Sequence, residues 1–591
     1  MSQATRARVR APHDRRVQAP AVFFPALAII VVAVALAIAL PERTAAVLGT
    51  LQGSVVAGFG PYFVVVVAGF VVFSLWMGMS RFGDIKLGKD EDEPEFGLMS
   101  WFAMLFAAGM GIGLVFWGAA EPLTFFVNPK PGAGAETRVE RAEAAMTQTF
   151  LHWGFHAWAV YAVVGLSLAY AIHRRGRPVS IRWALEPLLG DRLRGRTGDA
   201  IDVIAIVGTL FGVATSLGLG VQQISAGLVR LGAVGQPSDG LLIVLITVIT
   251  LIALTSVLSG VGRGIKWLSN INLGLAGVFL VAVLLLGPTL FLLRDLVQSF
   301  GSYLQNIVQL TFNASAYTGA DGLAWQGSWT IFYWGWWISW APFVGVFIAR
   351  ISRGRTVREF ILGVMLVPTA VTFVWFTVMG GGAIRQAWDD FNGGLFDPEE
   401  GIVSEAVLFN FLGTLPASGV LSVIAIILVA VFFVTSSDSG SLVVDMLASG
   451  GDIDPPRWSR VVWVTLEGLV AIALLLAGGL AALQTAAILT ALPVSLVMIG
   501  MCVATYRALR DEHAVLVRAE RRQRREELAH HVGTRVRTEL TEGFGDHFGV
   551  HVDDRVAVAL SEHMDDRAGA VPEHLDDVPR PWWQRFRPSA R

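Results

Sequence analysis

Along most of this chain hydrophobic residues neither alternate with polar ones nor recur at the spacing of a half-buried helix; they run in long, nearly unbroken stretches. A bilayer core of about 30 Å is crossed by about 20 apolar residues of helix. Stretches of that kind fall at 20–41, 57–79, 98–127, 146–172, 200–230 and 238–260. Six more fall at 269–293, 326–350, 358–380, 417–447, 461–483 and 485–508, so the pattern predicts twelve spanning helices. The segment 298–314 is only partly apolar (Phe300, Tyr303, Leu304, Ile307, Val308, Leu310) and too short to span. It predicts an amphipathic helix lying in the membrane interface.

Composition agrees. Hydrophobic residues make up 54% of the 591, charged residues 16%, and mean hydropathy is +0.58. Apolar runs of this length facing water would aggregate, so the chain reads as one membrane domain, 20–508, between tails 1–19 and 509–591. A net charge of −2 gives no footing for a nucleic-acid partner. The single cysteine, Cys502, excludes an intrachain disulfide and a cysteine-based metal site, and reads as a small buried hydrophobe. The basic arm Arg6, Arg8, Arg10, Arg15 and Arg16 precedes a run long enough to span, with no cleavage signature after it.

Loop charge sets orientation, because cytoplasmic loops are rich in Lys and Arg. Arg174, Arg175, Arg177, Arg182, Arg192, Arg194 and Arg196 lie between the fourth and fifth spans, and Arg350, Arg353, Arg355 and Arg358 between the eighth and ninth. Arg81, Lys86 and Lys89 precede the third, and Arg263 and Lys266 the seventh. With twelve alternating spans all of these share the side of the N-terminal arm, and both termini are expected in the cytoplasm. Only Lys130, Arg138 and Arg141 oppose this, partly offset by Glu136, Glu140 and Glu143. The tail opens with Arg518, Arg521, Arg522, Arg524 and Arg525. It reads as a solvated helix, or as a regulatory segment binding anionic lipid at roughly 1 kcal/mol per charge.

Two spans carry interruptions. The third contains Ala107-Ala108-Gly109-Met110-Gly111-Ile112-Gly113, where each glycine weakens a helix by about 1 kcal/mol and lets another group approach the backbone. The eighth contains Pro342, which is expected to break or kink it. Interruptions at matching positions of two halves point to a transporter's midplane site, where half-helix N-termini receive an anionic group. Glycines alone would equally suit tight helix packing.

Aromatic residues concentrate nearby: Trp153, Trp158 and Tyr161 in the fourth span, and Trp334, Trp336, Trp337 and Trp340 in the eighth. A single Trp suits an interfacial belt, but four within seven residues suit a cage for a methylated ammonium. Three or four desolvated faces at up to ~2 kcal/mol each supply about 6–8 kcal/mol, close to the roughly 8 kcal/mol of micromolar binding. The Gly-rich stretch holds no carboxylate, and Glu121 lies at the far end of that span. A bare cation would want a counter-charge there, so a zwitterion that brings its own carboxylate fits better. A zwitterion gains nothing from the membrane potential, whereas a co-transported cation gains about 2.3 kcal/mol per charge at 100 mV. Phe432-Phe433-Val434-Thr435-Ser436-Ser437-Asp438-Ser439 in the tenth span offers oxygen ligands for one.

These segments resemble the betaine/choline/carnitine transporter family. The likeness covers roughly 57–508 and is carried by AAGMGIG at 107–113, GAAEPLTFF at 118–126 and the HW…W..Y pattern at 152–161. It continues through SLGLG at 216–220 and GSWTIFYWGWWISWAPFVGVFIARISRGRTVREF at 327–360, and looks closest to the sodium-coupled glycine betaine branch. The resemblance implies an all-α polytopic membrane protein of leucine-transporter type, with a 5+5 inverted-repeat core (helices 3–7 and 8–12) behind two extra N-terminal helices. It implies a homotrimer in a bacterial cytoplasmic membrane, osmoprotective uptake, no cofactor, and sodium as coupling ion. The aromatic box would be Trp153, Trp158, Tyr161 and Trp337, with Trp336 and Trp340 on the pathway and Ala108, Gly109, Gly111 and Gly113 at the substrate. Sodium would bind the carbonyls of Ala107, Met110 and Phe432 and the hydroxyls of Thr435 and Ser436. A second sodium site of the branch uses two threonines one turn apart near Phe343. Here Thr209 matches the first and Val213 replaces the second, which removes an oxygen ligand. Fewer sodium ions are therefore expected, with His152 or His156 as conceivable proton carriers if they are not simply packed. Choline, carnitine or ectoine remain alternative substrates, exchange an alternative mode, and an ion channel or a sensor without transport the rival classes. No H-E-x-x-H, G-x-S-x-G or Walker motif speaks for an enzyme.

Overall fold

The computed structural model describes residues 19–109, 111–259, 261–389, 394–396, 401–543, 556, 558 and 559. Regular structure among them is helical, apart from isolated bridges such as that between Lys86 and Thr356. In chain order the main helices are α1 (Pro20–Ala39), α2 (Pro41–Met79), α3 (Leu98–Gly109), α4 (Ile112–Val127) and α5 (Arg138–Trp153). Then come α6 (Phe155–Ala169), α7 (Arg196–Arg230), α8 (Asp239–Ser259), α9 (Val261–Leu286) and α10 (Thr289–Thr311). The last five are α11 (Phe332–Ile351), α12 (Val357–Phe376), α13 (Ser404–Gly413), α14 (Ser418–Ala448) and α15 (Arg457–Gly543). The chain divides into two compact units, Met1–Arg510 and Asp511–Arg591.

Nine helices among the described residues are long and apolar enough to cross a membrane, or ten if a bent pair counts as one span. The twelve spans expected are thus not twelve unbroken helices. The span expected at 98–127 is the two short helices α3 and α4. Those at 461–483 and 485–508 both lie in α15, which leaves helical geometry at Gly478 and at Gly479, where φ +58° suits glycine. The fourth span breaks at Gly154, between α5 and α6, and ends in a π-helical turn, Tyr170–Arg174. Helix α2 starts sixteen residues before the expected 57, because Pro41 opens it at its first turn and helix-forming residues follow. Past α9, Gly287 and Pro288 end the span, and Asn270–Leu286 and Thr289–Thr311 meet at 109°. That bend lays α10 across the spans, as its partly apolar sequence requires.

The expectation at Pro342 needs correcting. Helix α11 runs through it unbroken, and the irregularity falls earlier, in a π-helical turn at Gly327–Ile331. Neighbouring helices bury α11 on every side from Phe332 to Val346, and such packing tolerates the single lost backbone hydrogen bond. Helices α1 and α8, by contrast, expose much of their apolar surface, which marks them as lipid-facing.

Three of the arginine-rich loops converge at one end. Leu87 N–H donates to Arg355 O and Gly354 N–H to Leu87 O, each at 2.8 Å. Arg353 pairs with Asp92 at 3.2 Å, and Arg174 reaches Asp90 at 2.6 Å and Gly88 O at 2.8 Å. Capping boxes, Thr356 with Glu359 and Thr137 with Glu140, satisfy the first N–H groups of α12 and α5. In the second unit the described helix is solvated and laced with i,i+4 pairs such as Arg522–Glu526 at 2.9 Å.

Candidate functional site

The end of α5 (Trp153), α6 (Trp158 and Tyr161) and α11 (Trp337) bring the expected box together. Trp153 meets Trp337 edge-on at 4.8 Å between ring centroids, Tyr161 meets Trp337 at 6.2 Å, and Trp158 meets Tyr161 at 5.5 Å. All four are buried. The interplanar angles of 71–78° set each of these pairs edge to face, the arrangement that aromatic pairs favour. Trp337 Nε1–H donates to the carbonyl of His152 at 2.9 Å, which satisfies an orphan acceptor at the α5–α6 break and fixes the indole.

Trp336 and Trp340 form a ladder rather than part of the box. Their rings stack at 5.9 Å and 6°, and Trp340 stacks on Phe343 at 6.0 Å and 9°. The glycines opposite explain how the ladder fits. A Cβ at Gly113 would stand 2.4 Å from Trp336 Cη2, and one at Gly111 3.1 Å from Trp340 Cη2. Gly111 and Gly113 therefore admit indoles to the backbone. Ala107, Ala108 and Gly109 close α3, and Met110 lies outside the described residues. Helix α4 restarts at Ile112 behind Gly111 with no side-chain cap, and its N-terminal N–H groups are deep inside the protein.

Sequence reasoning placed Glu121 only at the far end of its span and gave it no role at the box. Glu121 is fully buried and gathers Trp153 Nε1–H at 2.7 Å, the Tyr333 hydroxyl and His152 Nδ1 at 2.7 Å. His152 Nε2 is in turn 2.9 Å from Gln148 Nε2 and 3.0 Å from Thr330 Oγ1. Both carboxylate oxygens are thus occupied by partners that hold the box, and neither is open to a ligand. The signal available was a charged residue inside an apolar run, which in a membrane marks function by default. His156, the other conceivable proton carrier, stacks on Trp334 at 5.3 Å with Nε2 2.8 Å from Thr311 Oγ1. Both histidines are packed.

Of the expected sodium ligands, Phe432, Thr435 and Ser436 share one turn of α14. Thr435 Oγ1 lies 3.1 Å from Phe432 O and 2.9 Å from Val431 O, half-buried like Ser436. At the expected second sodium site the Thr209 hydroxyl is buried with no hydrogen-bond partner among the described residues, Val213 is buried, and Phe343 ends the ladder.

Residues 21–514 match the model of the betaine/carnitine/choline family of transporters. A chain of Mycobacterium tuberculosis, known as an uncharacterized transporter, is 50% identical over 505 residues, 84% of each chain. The glycine betaine transporter OpuD of Bacillus subtilis is 44% identical, covering 85% of this chain and 96% of that one. The glycine betaine transporter of Acinetobacter baylyi is 45% identical over 83% and 73%. The described residues supply the buried aromatic cluster and apolar helices such a protein needs; the relatives are transporters, not enzymes. This chain belongs to the betaine/carnitine/choline family of membrane transporters.

Proposed function

We propose that the chain is a secondary active transporter importing a quaternary-ammonium zwitterion, glycine betaine foremost, by symport with sodium across a bacterial cytoplasmic membrane. The observation that carries the reading is the box of Trp153, Trp158, Tyr161 and Trp337, joined through Trp336 to the buried half-helix N-terminus at Ile112 and Gly113. A methylated ammonium has no N–H to donate and is drawn to π faces. A carboxylate is received by helix N-terminal N–H groups. Glu121, already bound by three partners, offers no free oxygen to a bare cation, which favours a zwitterion over choline. Two of the relatives are named for glycine betaine. The hydroxyls of Thr435 and Ser436 with the Phe432 carbonyl support the sodium part, and Val213 supports fewer sodium ions than two.

On this reading the protein works as a homotrimer in osmoprotection, with its arginine-rich tail at anionic lipid. The test is uptake of radiolabelled glycine betaine into proteoliposomes, with and without an inward sodium gradient. Accumulation should require the gradient, and Trp337→Ala should weaken apparent affinity about tenfold or more, one desolvated face being worth up to ~2 kcal/mol. Saturable uptake indifferent to sodium would remove the sodium part. Carriage of choline but not glycine betaine would overturn the substrate.

A further inference from the structure

Between α1, the start of α2, α7 and α15 lies a groove that the reading above does not use. It encloses about 360 Å³ and is walled mainly by apolar side chains, among them Ala37, Val47, Phe211, Leu474 and Leu489. Small residues make its buried wall, Ala37 on α1 and Ala473 and Ala486 on α15. The departure of α15 from helical geometry at Gly478 and Gly479 falls between those last two alanines, so both arms of that helix line the groove. The rim is open, because Leu36, Leu40 and Val47 line it and are exposed.

The groove has one charged end. Helix α1 is an apolar helix of 20 residues, about 30 Å long, which matches the hydrocarbon core of a bilayer. The junction with α2 therefore falls where headgroups begin. Arg43, in the first turn of α2, is exposed and lines the groove, whereas its neighbour Glu42 does not. A cation in a helix's first turn opposes the macrodipole. The first N–H groups there have no intrahelical acceptor, and no side chain caps them. Both features suit an anion supplied from outside the chain. From Ala33 to Leu40 the groove follows α1 for about 10 Å, most of the roughly 15 Å of one leaflet. At its inner wall Thr490 Oγ1 is 2.9 Å from Ser339 Oγ, on α11 between Trp337 and Trp340.

We propose that this groove is a phospholipid site: one acyl chain lies between α1, α2, α7 and α15, and the phosphate of a net-anionic headgroup sits on Arg43 and the first turn of α2. An apolar trough open sideways to the membrane takes an acyl chain, and a guanidinium at headgroup depth takes a phosphate through charge-assisted hydrogen bonds. The bound chain lies against the residues that back α11, the helix carrying Trp337. The site needs only the membrane placement of the chain and stands apart from the substrate reading.

The test reconstitutes the full-length protein in phosphatidylcholine vesicles containing phosphatidylglycerol with a photoreactive diazirine in one acyl chain, and maps the labelled peptides by mass spectrometry. Label should appear on 33–48 and 470–490. Arg43→Gln should lower it about fivefold, the effect of one basic residue at an anionic headgroup. Val47→Trp, at the exposed rim, should lower it severalfold by filling the groove, with label elsewhere unchanged. Phosphatidylcholine carrying the same diazirine should label these peptides severalfold less than phosphatidylglycerol, a comparison made on the wild type and so independent of how either variant folds. No label on these peptides, label undiminished in either folded variant, or equal labelling by the two lipids would overturn the proposal. So would label that appears only once the protein is dispersed as monomers, which would give the groove to a second copy of the chain.

Discussion

Glu121 shows how one carboxylate organises an aromatic site. Its oxygens are shared among an indole, a phenol and an imidazole; the indole, Trp153, belongs to the box and the phenol, Tyr333, stands against it. Glu121→Gln keeps the shape but brings an amide N–H₂ into a ring of donors, so at least one donor loses its acceptor at about 1–3 kcal/mol. Trp153 is then free to turn. The expected outcome is a rise in the KM for glycine betaine of about tenfold, with a lower unfolding temperature. An unchanged KM with lowered stability would assign Glu121 to folding alone. The four box residues were legible because the family pattern names them. The role of Glu121 was not, since its partners Trp153 and Tyr333 lie 32 and 212 residues away and no local spacing joins them.

At the scale of elements, the interruption of the third span was written in its sequence: alternating glycines weaken a helix wherever they stand. The break at Gly154 was not, because a lone glycine between Trp153 and Phe155 looks like an ordinary helical residue. Pro342 misled in the other direction, because its effect depends on surrounding helices that the local sequence does not display. The glycines of the third span are also the seat of the indole ladder, which gives a prediction. Gly113→Ala forces a methyl to within 2.4 Å of Trp336 Cη2, overpacking of a kind that costs about 1–3 kcal/mol. Uptake should fall severalfold and the unfolding temperature should drop. Gly49→Ala, in α2 with nothing within 4 Å, is the matched control and should do neither. Equal effects at both positions would remove the ladder as the cause.

At the scale of the whole chain, the sequence departs from the pattern it resembles at Val213, where the resemblance would place a second threonine. Val213→Thr restores a hydroxyl one turn from Thr209, whose own oxygen is already without a partner among the described residues. The Hill coefficient for sodium in uptake is expected to rise from about one toward two. A coefficient near two in the wild type would show that the missing oxygen is not needed. The meeting of the arginine-rich loops was legible only as a shared side. Their actual hydrogen bonds, Leu87 to Arg355 and Gly354 to Leu87, join segments more than 260 residues apart. Loop charge places them at one surface, but only the folded chain supplies the register between them.

The near-parallel rings of Trp336, Trp337 and Trp340, tilted by only 6–18° along the ladder, have a spectroscopic consequence. Indoles stacked at 4.8–5.9 Å share their electronic transitions, so they absorb polarised light as a coupled unit rather than as separate chromophores. On the proposed reading, a quaternary ammonium over Trp337 would shift one member of that unit and unbalance the rest. Near-ultraviolet circular dichroism of the purified protein would then change on adding glycine betaine, without a label or a membrane gradient.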